Sequence, residues 1–111
     1  MSLAFHIVRY GRSAAFAVCL ASVASAAFAG DAAEGLRLAQ KWCSACHIVN
    51  GGQVDASDAA PPFAQIANDP AKTPETLAIW LAAPHSPMPD LNLSQDEIDD
   101  LIAHIQSLKA E

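Results

Sequence analysis

Two cysteines three positions apart, with a histidine directly after the second, stand in Cys43-Ser44-Ala45-Cys46-His47. This pentapeptide constrains the chain more than any other feature, because two thiols and an imidazole packed so tightly must hold something. No other cysteine lies beyond the first thirty residues. Three occupants suit the residue types. A Cys43–Cys46 disulfide is open to a chain in an oxidising compartment. Enzymes built on such a pair, however, carry it on a βαβ scaffold, and no segment here alternates as a strand does. Zinc wants four ligands, and the same region adds only His47, His85 and His104, without a second cysteine pair. Covalent haem attachment uses all three residues, and C-x-x-C-H is its signature. Residues i and i+3 of a helical turn point the same way, so two thiols can meet the two vinyl groups on one porphyrin edge. The next residue then brings its imidazole to the iron. On this reading Cys43 and Cys46 become thioethers and His47 the proximal ligand.

The N-terminus agrees with chemistry done outside the cytoplasm. Arg9 and Arg12 precede an apolar, alanine-rich block over residues 13–28, and Ala27-Phe28-Ala29 has the small–x–small form that a signal peptidase reads. This is the layout of a secretory signal, with cleavage expected after Ala29 and one domain over residues 30–111. A retained anchor would want about 20 strongly apolar residues, a transit peptide would be an amphipathic Arg-rich helix, and Phe16 and Val18 are too bulky for lipoprotein processing at Cys19. The expected location is the periplasm, with no stable membrane insertion after cleavage.

Charge narrows the partners. All twelve acids follow residue 30, where only Arg37, Lys41, Lys72 and Lys109 oppose them, a net charge of about −8. Such a surface repels nucleic acid and anionic lipid and suits a partner with a basic docking face. A domain this short also has a limited core and gains from a covalent cofactor.

The pattern is all-α, with three main helices. Asp31 and Glu34 resemble a capping box at the start of a helix running through residue 46, with Leu36, Ala39, Trp42 or Cys43, and Cys46 on one face. An irregular loop follows around Pro61 and Pro62, with a short helical turn at residues 63–67. Asp55 and Asp58 lack the ligand series of a calcium loop. Thr73-Pro74 opens a second helix whose buried stripe is Leu77, Trp80 and Leu81, and Pro84 stops it. Ser94 and Glu97 form a second capping box ahead of a stripe of Ile98, Leu101, Ile102, Ile105 and Leu108, with Asp99, Asp100 and Gln106 towards water.

Iron has a second axial face. After the signal the chain has one methionine, Met88, between Pro87 and Pro89. A lone Met is usually core filling, but this loop is polar and offers little to pack. The flanking prolines limit backbone freedom, so the thioether can be held at the metal at small entropic cost. His85 is the rival ligand. A His/Met pair favours ferrous iron and a high potential.

With these residues in place, the chain resembles a small bacterial class I c-type cytochrome over nearly all of residues 31–110. The resemblance rests on a Gly-bearing first helix, C-x-x-C-H, the proline loop, a Trp-bearing helix, Met-Pro, and the closing "LSQDEIDDLIAHIQSL". It implies a few helices wrapped round one haem c, the first and last crossing. It further implies that the carbonyl of Pro61 or Pro62 receives the proximal histidine's ring N–H, that Phe63 packs on the haem, and that Trp80 lies near a propionate. Gly35 then serves close helix crossing. The family's aromatic pair at that crossing is replaced by His104 and Ala39, so the crossing should be smaller and more polar, with His104 as a half-buried packing residue.

The function implied is one-electron exchange, Fe(III) to Fe(II) and back, rather than enzyme catalysis. Two forms stay open: a diffusible carrier between redox proteins, or a haem subunit held on a dehydrogenase or oxidase. A haem sensor or enzyme would require Met88 to leave the iron.

Overall fold

The computed structural model describes residues 30–56, 60–83 and 85–111. The signal and its cleavage site, Cys19, Asp58 and Pro84 lie outside them. Four helices form among the described residues: α1 (Ala32–Trp42), α2 (Phe63–Asn68), α3 (Pro74–Ala82) and α4 (Gln95–Ser107).

Each long helix starts where its cap lies. The Asp31 carboxylate accepts from the Ala33 and Glu34 amides, answering two of the donors a helix start leaves unpaired. The reciprocal half of that capping box is absent: Glu34 pairs with Arg37, and the Asp31 N–H goes instead to Asp100 Oδ1 on α4, at 2.6 Å. Thr73 caps α3 with Pro74 in the first turn. Ser94 and Glu97 cap α4 in both directions, which draws the Glu97 carboxyl below its usual range, first through the Ser94 backbone N–H and then through its hydroxyl.

α1 crosses α4, and this contact holds the core. Leu38, Ala39 and Cys43 pack with Ile98, Leu101, Ile102 and Ile105, extended by Val49, Phe63, Ala67 and Leu77. The approach is close enough that a Cβ on Gly35 would stand 1.9 Å from the Asp100 carbonyl oxygen, and one on Gly30 would stand 2.0 Å from that of Asp99. Glycine at both positions lets main chain lie against main chain.

The face of α1 differs from the expected one. Leu38, rather than Leu36, is buried beside Ala39, and Trp42 is 48% exposed. α1 also stops at Trp42, not residue 46. The Ser44 amide reaches back five residues to Ala39 O, at 3.0 Å, so the last turn widens and residues 43–47 leave the helical register. On α3, Leu77 is buried but Trp80 is 46% exposed, because its ring turns towards an open cavity rather than into the α3–α4 contact.

Candidate functional site

The widened turn after α1 sets the site. Cys46 N and His47 N both donate to Cys43 O, at 3.1 and 2.9 Å, so the peptide coils once more and presents both thiols and the imidazole to the same hollow. Cys43 is buried and Cys46 exposed, and neither is in a disulfide. Burial, and next the neighbouring Cys46, push the Cys43 thiol up to about 11.

His47 Nδ1 lies 2.7 Å from the Pro61 carbonyl oxygen. A carbonyl can only accept, so Nδ1 carries the hydrogen and the Nε2 lone pair is left free, the tautomer a metal-bound histidine requires. The geometry selects Pro61 over Pro62, whose carbonyl receives the Gln65 and Ile66 amides at the start of α2. Phe63 is buried, its ring centroid 5.3 Å from that of His47 and 6.1 Å from that of His104.

The opposite side comes from α3 and the loop before α4. Trp80 meets His85 edge-on at 4.6 Å, and Lys72 Nζ sits 4.5 Å from the Trp80 ring centroid. An isolated backbone bridge joins His85 to Met88, which keeps Met88 at the cavity wall, half-buried.

All seven residues selected from sequence, Cys43, Cys46, His47, Pro61, Phe63, Trp80 and Met88, line one cavity of about 500 Å³. Its remaining walls are mostly apolar, including Ile66, Leu77, Leu81, Leu101 and Ile105; among the described residues Lys72 is its one charged side chain and no carboxylate lines it. The volume falls in the usual range of about 300–1,000 Å³ for cofactor sites. The donor set suits haem: two thiols on one rim, a correctly protonated imidazole, and a thioether from another segment. Among the described residues no three His, Cys, Asp or Glu side chains gather as a metal cage would need.

The comparisons agree with this geometry. The Cytochrome c family model matches residues 32–109. The chain belongs to the cytochrome c family. A relative named cytochrome c-552, from Bradyrhizobium diazoefficiens (strain USDA 110), is 42% identical over 98 residues, covering 88% of this chain and 94% of the relative. No solved structure matches the chain with significance. This cytochrome is therefore a bacterial class I c-type electron-transfer protein rather than an enzyme, and membership implies covalently attached haem c, for which Cys43 and Cys46 have the required spacing.

Two residues near the cytochrome's site make hydrogen bonds that the sequence did not signal. His104 is fully buried, not half-buried, and its Nε2 donates to Val49 O at 2.7 Å. Gln53, inside an unpatterned Gly-rich loop, has hydrogen bonds to Ser44, His47, Val49 and Asp55. Both act across the fold or loop through pairings that no periodicity marks.

Proposed function

We propose that this cytochrome is a periplasmic one-electron carrier between redox proteins, its iron held by His47 and Met88. The observation that carries the reading is one apolar cavity with the C-x-x-C-H turn, a His47 whose Nδ1 hydrogen goes to Pro61 O, and Met88 all in its walls. When bound, haem c supplies one iron that cycles between Fe(III) and Fe(II). The protein's residues do the rest. Pro61 fixes the His47 ring, Cys43 and Cys46 would hold the cofactor's edge, and Met88 would supply the second protein ligand to the iron and so keep external ligands off. Phe63, Leu77 and Leu101 keep the surroundings apolar, which disfavours the added charge of ferric haem and raises the potential. Residues 1–29 act as a secretory signal cut after Ala29, and no described helix is long and apolar enough to cross a membrane. The net negative charge supports a partner with a basic face and fast, salt-sensitive encounter.

Replacing Met88 by Ala tests the ligation. The expected result is a lower potential and ready binding of cyanide or carbon monoxide, both resisted by the wild type. Equal binding by the wild type refutes Met88 as ligand.

A second reading has its own observation. Trp42, Ile79 and Trp80 are all exposed, Ile79 to 68%, and Trp42 and Trp80 border the cavity. Apolar surface in this position fits a haem subunit held on a larger redox enzyme. Gel filtration of a native periplasmic extract separates the two: a small haem-bearing species means a carrier, a stable large complex a subunit.

A further inference from the structure

We propose that Gln53 is a positioning residue for His47, holding the ligand's main chain so that the imidazole keeps one orientation; this rests on the reading of His47 as proximal ligand. The side chain is saturated. Its Oε1 accepts from Val49 N at 2.9 Å. Its Nε2 lies 3.0 Å from Ser44 O, 2.8 Å from His47 O and 2.8 Å from Asp55 O. Three carbonyls around one end and an N–H at the other fix which end of the amide is nitrogen. One residue thus ties together the last turn before His47, the carbonyl of His47 itself, and the chain just after it.

The neighbouring groups complete a clamp. Ile48 O accepts from Phe63 N at 2.9 Å and Val49 O from His104 Nε2 at 2.7 Å, while His47 N donates to Cys43 O. From His47 to Val49 these backbone groups are paired in turn, and Gln53 supplies two of the pairings. The Phe63 bond also links this stretch to the Pro61 segment that receives the His47 ring. A loosened main chain at His47 therefore lengthens the Nδ1–H···O contact. A weaker contact makes the imidazole a poorer donor to ferric iron, so the equilibrium moves towards Fe(II). Partners that orient a metal ligand typically govern 10–100-fold effects, and Gln53, one step removed, belongs at the lower end.

The test uses mature holo-protein carrying Gln53→Glu or Gln53→Met. The glutamate keeps the acceptor for Val49 N–H but sets an oxygen against three carbonyl oxygens; the methionine keeps reach and removes every hydrogen bond. The expected result in each is a shift of roughly tenfold towards Fe(II), which is about 59 mV for one electron, with altered ferric resonances from the His47 ring. In the wild type, the Gln53 side-chain amide protons should exchange much more slowly than those of the exposed Gln40 and Gln65, a measurement that stands even if neither variant matures. Unchanged potential and His47 resonances, or exchange as fast as at Gln40, overturn the role of Gln53 while leaving the ligation intact. A wild-type spectrum without a nitrogen and a sulfur axial ligand overturns the ligation itself, and the positioning role with it.

Discussion

Replacing Gly35 by Ala gives the sharpest test of the packing, because two effects of known sign oppose each other. Alanine favours a helix interior over glycine by about 0.8–1.0 kcal/mol, so α1 taken alone becomes more stable. In the folded protein the new methyl would lie 1.9 Å from Asp100 O, 2.6 Å from Asp100 C and 2.9 Å from His104 Cβ. The first two atoms are main chain in the middle of α4 and cannot turn aside. Restoring the contact from 1.9 Å to an ordinary 3.4 Å moves the helices apart by about 1.5 Å. A radial gap of only about 0.5–1 Å forfeits a quarter to a half of each dispersion contact, and the seam includes Leu38, Ala39, Leu101 and Ile102. Overpacking costs about 1–3 kcal/mol, and a rigid obstacle puts this site at or above the upper figure. Net of the helical gain, the variant should lose at least about 2 kcal/mol. Guanidinium unfolding of the holo-protein followed by circular dichroism reads this as a lower midpoint at unchanged slope. Gly51→Ala is the control: its added Cβ meets nothing within 4 Å, and stability should change by less than about 0.5 kcal/mol. A Gly35→Ala protein as stable as the wild type, or more so, refutes the close crossing.

Three further outcomes are expected. His104→Leu keeps an apolar body but leaves the buried Val49 carbonyl without its donor, so denaturant titration should show a loss of about 1–3 kcal/mol; a neutral result removes the clasp. Glu97→Gln should flatten the acid limb of stability. The folded carboxyl is drawn down by Ser94, so its contribution is present above the unfolded value and lost as pH falls through the folded one, and thermal melts between about pH 5 and 3 check it. In the haem-free chain the Cys43 thiol is pushed up to about 11 by burial, so iodoacetamide should label exposed Cys46 well before Cys43. The same shift leaves stability untouched below about pH 8.5 and erodes it as pH rises towards 11, because the unfolded thiol ionises first; equal labelling rates at neutral pH contradict the burial.

What the sequence revealed was local. Ser94 with Glu97 and Thr73 with Pro74 mark helix starts within four residues, and both lie where expected. The turn at Phe63 is one residue longer than read. Hydrophobic spacing placed α4 well, with Ile98, Leu101, Ile102 and Ile105 all buried, because its stripe faces one long partner. It misplaced α1, where two glycine contacts draw the Gly35 side inward and leave Leu36 at the edge. Trp80 reads by spacing as part of a buried stripe, yet it is half exposed and borders the cavity. The Asp31 N–H likewise ignores Glu34 for a carboxylate 69 positions away. Cys43, Cys46, His47 and Met88 could be singled out because iron chemistry allows few residue types, and all four line one cavity. Gln53 was not, and for His104 only the packing role could be read and not its Val49 partner, because a carbonyl accepts from any donor and leaves no imprint on composition.

The crossing of α1 and α4 joins segments separated by 52 intervening residues, from 43 to 94. For a flexible loop, doubling the length adds only about 0.6 kcal/mol to the cost of closing it. The fold is therefore a buckle with a long strap: the seam tolerates almost no change in side-chain size at Gly30 and Gly35, Gly51 and Gly52 accept a side chain because an added Cβ meets nothing closer than 3.7 Å, and the strap outside the Gln53 pairings can change length at small cost. Relatives should accordingly differ most in the size of that excursion and least in the two glycines, with the haem-binding turn carried unchanged between them.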